Sequence, residues 1–168
     1  MTYQIISTFD GSTETCSLSE LSRQVKLNYI LCELGTDGTL IDSWPLDHRA
    51  LVTFAVEFAD YALKHYTKKK IPEAEACITL TKQWLKNQDS VSNEELKVAA
   101  NAAVAAAYAA YAATAAAYAA DAAAADAATA AAAYAATAAA NAAGKSKEAE
   151  LIRQGGFIVE YLKNSSSK

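Results

Sequence analysis

The sequence has few of the residues that mark a chemical or membrane site. Its three cysteines, Cys16, Cys32 and Cys77, are far apart and lack the paired spacing of a zinc site or a redox motif. No long run of leucine, isoleucine and phenylalanine is present, which argues against a membrane-spanning segment. A glycine-rich phosphate loop, a nucleophile elbow and a metal-ligand motif are also missing. We therefore predict a protein that is not an enzyme, with no catalytic residue, no metal site and no cofactor.

Net charge is small and is not concentrated in a basic segment. The chain carries 15 basic and 19 acidic residues, for a formal charge of −4, and its one basic run is Lys68 to Lys70. Nucleic acid is therefore a poor candidate partner, because binding to phosphates needs clustered cations. The first residues lack the cationic and apolar regions of a secretory signal, so we predict a cytoplasmic protein that does not bind membranes.

Alanine dominates one long segment. Between Ala99 and Ala143, 33 of 45 residues are alanine, and the only charged residues are Asp121 and Asp126. Alanine has the highest intrinsic helix propensity, so the segment is predicted to be helical. A helix with so few charged side chains is expected to be surrounded by other helices, and its small residues would allow close packing.

The alanine segment is too long for one helix in a domain of this size. A helix of that length would span about 68 Å, whereas a compact domain of this size has a radius of gyration of about 15 Å. Tyr118 and Tyr134 would also lie on opposite sides of one continuous helix. Because either aspartate could cap a new helix, we predict an antiparallel helical hairpin with its turn between Asp121 and Asp126.

The flanking sequence predicts further helices, each with a recognisable start or end. The predicted boundary signals are Asp47 as an N-cap, Pro72 in a first turn, the capping box of Ser92 and Glu95, and Gly144 as a C-cap. A last amphipathic helix follows Gly144, and Gly155 and Gly156 are expected to weaken or kink it.

Residues 1–45 have a different character. They contain β-branched and aromatic residues, turn residues from Gly35 to Thr39, and a capping-box pattern at Ser17 and Glu20. We predict short strands or an extended cap there, with a short helix.

The predicted fold class is all-α, a compact bundle of five or six helices with the alanine hairpin at its centre. The predicted division is an N-terminal cap or recognition segment (1–45), the bundle (46–164) and a disordered tail (165–168).

The order of these elements resembles a known family. The segments "LDHRALVTFAVEFADYALKHY", "IPEAEACITLTKQWLKN", "DSVSNEELKVAANAA" and "KEAELIRQGGFIVEYL" are similar to those of the alanine-rich immunity proteins of bacterial polymorphic-toxin loci and some phages. The resemblance covers roughly residues 47 to 163. It implies an inhibitor in which a rigid helical bundle occludes a toxin's active site by stoichiometric binding. Acidic groups near exposed aromatic residues would suit a basic nuclease toxin.

Five residues are the candidate contacts for a protein partner: Tyr111, Tyr118, Asp121, Asp126 and Trp44. The tyrosines could instead belong to the core, and the aspartates could be helix caps or an acid–base pair. Three other functions are open. The protein could be a phage-encoded antagonist that recognises a host defence enzyme through residues 1–45. It could instead be an oligomerising structural module, or a small-molecule sensor or enzyme. Ice binding is disfavoured because Thr114, Thr129 and Thr137 lack a regular repeat.

Overall fold

The N-terminal segment forms a sheet in the computed structural model, which describes residues 2–66, 70–106 and 131–166. Its four strands are antiparallel and are arranged in the order β2-β1-β3-β4. They comprise β1 (Thr2–Ser7), β2 (Thr13–Cys16), β3 (Tyr29–Leu34) and β4 (Leu40–Leu46). A short helix, α1 (Leu18–Gln24), connects β2 to β3.

The predicted all-α fold is therefore wrong, since the chain is a mixed α/β protein. Strand β1 shows the alternation expected of a strand with one buried face, because Tyr3, Ile5 and Ser7 are buried and the residues between them are not. The other strands carry weaker signals. Strand β3 is apolar except for Glu33, and β4 contains Asp42 and Pro45, which strands usually disfavour.

Within the described residues, five longer helices follow the sheet and contribute to the same core as its buried face. They are α2 (His48–Tyr66), α3 (Pro72–Lys86), α4 (Asn93–Ala106), α5 (Ala131–Ala142) and α6 (Lys147–Ser166). Helix α6 thus extends into the segment predicted as a tail.

The predicted helix starts are confirmed by their capping hydrogen bonds. The Asp47 carboxylate accepts a hydrogen bond of 2.7 Å from the backbone N–H of Ala50. Ser92 and Glu95 form a reciprocal capping box, since each backbone N–H donates to the other side chain at 2.8 and 3.2 Å. These bonds satisfy donors that the first helical turn leaves without a backbone partner.

Alanine packs against alanine where α5 meets α2. Residues 138–140 of α5 are buried alanines, and α2 buries Ala55, Ala59 and Ala62. Such small side chains allow two helix backbones to approach closely and gain dispersion contacts. Helix α4 packs instead on α3. The turn predicted between Asp121 and Asp126 lies outside the described residues.

One hydrophobic core joins the sheet to the helices. It includes Ile5 and Leu31 from the sheet, Phe54 and Phe58 from α2, and Ile158 from α6. Helix α6 also lies directly against α1. This approach requires a glycine, because a Cβ atom at position 155 would overlap the carbonyl oxygen of Leu18. The helix is continuous through both glycines that were predicted to weaken or kink it.

Candidate functional site

The two faces of the sheet have different environments. The inner face carries Tyr3, Ile5, Leu31 and Trp44, all of which belong to the core. The strand register places the alternate residues together on the opposite side. We call this side the outer sheet face. Its apolar members are Ile6, Ile30, Cys32, Leu34, Leu40 and Pro45, and its other members are uncharged threonine, glutamine and serine.

Part of the outer sheet face is open to solvent, although Cys32 in the central strand β3 is only 3% exposed. Ile6, Ile30 and Leu34 are only partly buried and do not contact the core cluster. Leu40 is 61% exposed, and Ile41, the extra residue where the β3–β4 register shifts, is 57% exposed. A single exposed apolar side chain is ordinary, but adjacent ones on a flat sheet are typical of a binding surface.

The net charge of the chain is carried entirely by the sheet region. Residues 1–46 contain six acidic and two basic residues, and the remainder contains thirteen of each. Two of the six carboxylates belong to turns at opposite ends of the sheet: Asp10 in the β1–β2 turn and Asp37 in the β3–β4 turn. An uncharged face therefore has an acidic residue at each end.

Hydrogen bonds within the turns hold both carboxylates in their ionised form. Asp10 accepts from the backbone N–H and the hydroxyl of Ser12 at 3.0 and 2.7 Å, and these bonds lower its pKa to about 2. Asp37 accepts from the hydroxyl and the N–H of Thr39 at 2.7 and 3.1 Å, which also lowers its pKa. Both carboxylates stay charged at neutral pH because these bonds favour the anion.

The exposed edge of β4 is protected against pairing with another strand. Pro45 has no N–H, so it cannot donate to an added strand. The Ser43 N–H, two residues earlier, donates to the carboxylate of Asp42 at 2.8 Å. The opposite edge is β2, which has only four residues. Both features are ways in which proteins block edge-to-edge association.

A buried ion pair anchors the inner face of the sheet to α6. The Glu33 carboxylate, which is 1% exposed, lies 2.7 Å from the Nζ atom of Lys163. Glu33 lies beside Tyr3 in the β1–β3 register, and burial followed by the charge of Glu33 raises the Tyr3 pKa. The pair holds the sheet against α6 from its inner side.

Of the five predicted contact residues, Trp44 is the one that the structure describes. Trp44 lies on the inner face and is 2% exposed, so it is part of the core. Tyr111, Tyr118, Asp121 and Asp126 lie outside the described residues.

A second polar cluster joins α6 to α2. Arg153 donates to the buried carboxylate of Glu150 at 2.9 Å and stacks 3.6 Å from the centre of the Tyr61 ring. It also lies 3.7 Å from a Glu57 oxygen. These charged groups pair with one another. In the part of the chain that the structure describes, no three potential metal ligands lie together.

Buried titratable groups near the inner face predict an alkaline loss of stability. Burial raises the pKa of Cys16 to about 11 and that of Tyr3 above 10.0, and the hydrogen bond to Glu33 raises that of Lys163 above 10.5. Each group holds its proton more tightly when folded, so its stabilisation is complete below its unfolded pKa and is lost as pH rises. We expect the melting temperature to fall from about pH 9 upward, because Cys16 has an ordinary pKa of 9.0.

The variant Tyr3→Phe should lose stability less steeply over this range, since it keeps the ring and removes the titrating hydroxyl. Tyr29→Phe, on a half-buried ring of the same face, is the matched control. Thermal denaturation between pH 8 and 11.5 makes the comparison. Equal slopes for Tyr3→Phe and the unmodified protein would contradict the contribution of Tyr3.

Sequence reasoning missed the outer sheet face, although two signals for it are present. Phe9–Asp10–Gly11 and Asp37–Gly38 are turn sequences that delimit the strands, and both glycines have positive φ angles. The second signal is the concentration of acidic residues before position 47. Together they indicate a small acidic sheet, one face of which is not covered by the helices that the structure describes.

Comparisons with known proteins give no family. No family model, no curated protein and no solved structure matches the chain. Among the described residues, no helix is both long and apolar enough to cross a membrane.

Proposed function

We propose that the protein is a non-enzymatic binding protein of the immunity type, which neutralises a toxin or another effector enzyme by stoichiometric binding in the cytoplasm. The observation that carries the proposal is the outer sheet face, on which neighbouring apolar residues are left without a described helix to cover them. Contiguous apolar surface of this kind favours a protein partner.

The surface is also preorganised for binding. Its strands are fixed from the inner side by the common core and by the ion pair between Glu33 and Lys163. A partner would therefore bind a surface that is already ordered, and little conformational entropy would be lost on association. Rigid occlusion of this kind is how a stoichiometric inhibitor acts, since it needs affinity and a fixed shape.

The test is co-expression with the products of neighbouring genes, followed by affinity capture and growth measurements. We expect one toxic enzyme to copurify at a 1:1 ratio and its toxicity to be relieved. The activity of the purified enzyme should fall linearly with added protein until one equivalent is present. Recovery of the protein alone, with no relief of toxicity, would contradict the proposal and favour an oligomerising module.

A further inference from the structure

We infer that the outer sheet face docks face-on against a basic partner surface that presents apolar side chains between lysine or arginine residues. This inference rests on the proposed function and specifies the partner's chemistry. It is carried by an uncharged, partly apolar face with an ionised carboxylate in the turn at each end.

Docking is face-on because the β4 edge is blocked and the β2 edge is only four residues long. An added strand would need free N–H groups along β4, but Pro45 has none and the Ser43 N–H is bonded to Asp42. Affinity must then come from side chains on the face, where Leu40 is the most exposed apolar residue, at 61%. Burial of such side chains is favourable at roughly 25 cal/mol per Å² of apolar surface.

The negative charges of the two turns favour a basic partner. Asp10 and Asp37 are fixed by their own turns, so ion pairs with them would need little further ordering. Complementary charges at the ends of an apolar surface steer association and fix orientation. The same carboxylates would repel the phosphates of a nucleic acid.

Charge also disfavours a second copy of this chain as the occupant. When two sheets stack in aligned packing, the ends of one lie over the ends of the other. Because each end carries an aspartate, an acidic end would meet an acidic end in either direction. A basic partner removes this repulsion.

The test uses three labelled helical peptides as probes and measures binding by fluorescence anisotropy. The first peptide presents leucine residues between lysine residues on one helix face. The second has glutamate in place of lysine, and the third has serine in place of leucine. We expect measurable binding only of the leucine–lysine peptide, and we expect it to weaken as salt concentration rises.

Matched variants locate the binding site. Leu40→Ser should weaken binding by about fivefold or more, whereas Val98→Ser, which alters a 60% exposed residue of α4, should not. Asp10→Asn with Asp37→Asn keeps the turn hydrogen bonds and should weaken binding about fivefold at low salt. Glu73→Gln with Glu148→Gln removes two exposed charges elsewhere and should have little effect.

Several outcomes would overturn the inference. They are equal effects of Leu40→Ser and Val98→Ser, preference for the glutamate peptide, and dimerisation through this face in sedimentation experiments. The result is separable from that for the proposed function. If a captured toxin bound Leu40→Ser unchanged, the inhibitor role would stand and this surface would be wrong. If the peptide bound as expected but no toxin were neutralised, the binding surface would stand and the inhibitor role would be wrong.

Discussion

Gly155→Ala is expected to destabilise the protein by about 3 kcal/mol, although alanine normally strengthens a helix. A Cβ atom at this position would overlap the carbonyl oxygen of Leu18, which is backbone and cannot rotate away. Helix α1 would have to move off α6, and core contacts near both helices would be lost. The cost therefore arises from packing and exceeds the gain in helix propensity.

The adjacent glycine provides the control. At position 156 an added Cβ meets no atom within 4 Å. Gly156→Ala should therefore stabilise the protein by about 0.5–1 kcal/mol through the lower entropy of its unfolded state. Urea denaturation of both variants gives the comparison. If both were stabilised, the close approach of α1 to α6 would be wrong.

Lys163→Met is expected to destabilise the protein by about 2 kcal/mol. The Glu33 carboxylate is 1% exposed, and without Lys163 it would stay buried beside the sheet without its cation. Removing one partner of a fully buried pair typically costs about 3–5 kcal/mol. The expected value is lower because the Lys163 side chain is 47% exposed, so water can replace part of the interaction.

The double variant Glu33→Gln with Lys163→Met separates charge from packing. It removes both charges, so it should recover part of the stability that Lys163→Met loses. Lys163→Arg, which keeps the cation, should remain close to the unmodified protein. Denaturant unfolding of the four proteins measures how much stability Lys163→Met loses and how much the double variant recovers. If Lys163→Met were as stable as the unmodified protein, the ion pair would contribute nothing to stability.

Helix boundaries were predictable from sequence because local chemistry determines them. Asp47 and the pair Ser92–Glu95 satisfy N–H groups within the first turn, and this requires only residues that are near in sequence. The sheet was harder to predict, since the pairing of β1 with β3 brings together residues from either side of α1. The short strand signals of residues 2–46 were outweighed by the helical pattern of the remainder.

The candidate site could not be predicted in the same way, because it depends on which face the helices cover. The sequence shows that Ile6, Ile30 and Leu40 are apolar, but it does not show that they lie on the side away from α6. Trp44 illustrates the same limit. An aromatic residue is a reasonable candidate contact from sequence, yet the strand register places the Trp44 side chain in the core.

The docking of α6 on α1 also has a consequence for the time course of folding. Leu18 and Gly155 are more than a hundred residues apart in the chain, as are Glu33 and Lys163. During synthesis the sheet emerges long before the helix that completes its inner side. The early chain therefore exposes Ile5, Leu31 and Trp44 until α6 arrives, and contacts so distant in sequence form slowly. The blocked edge of β4 thus protects the nascent chain against aggregation when it is most vulnerable.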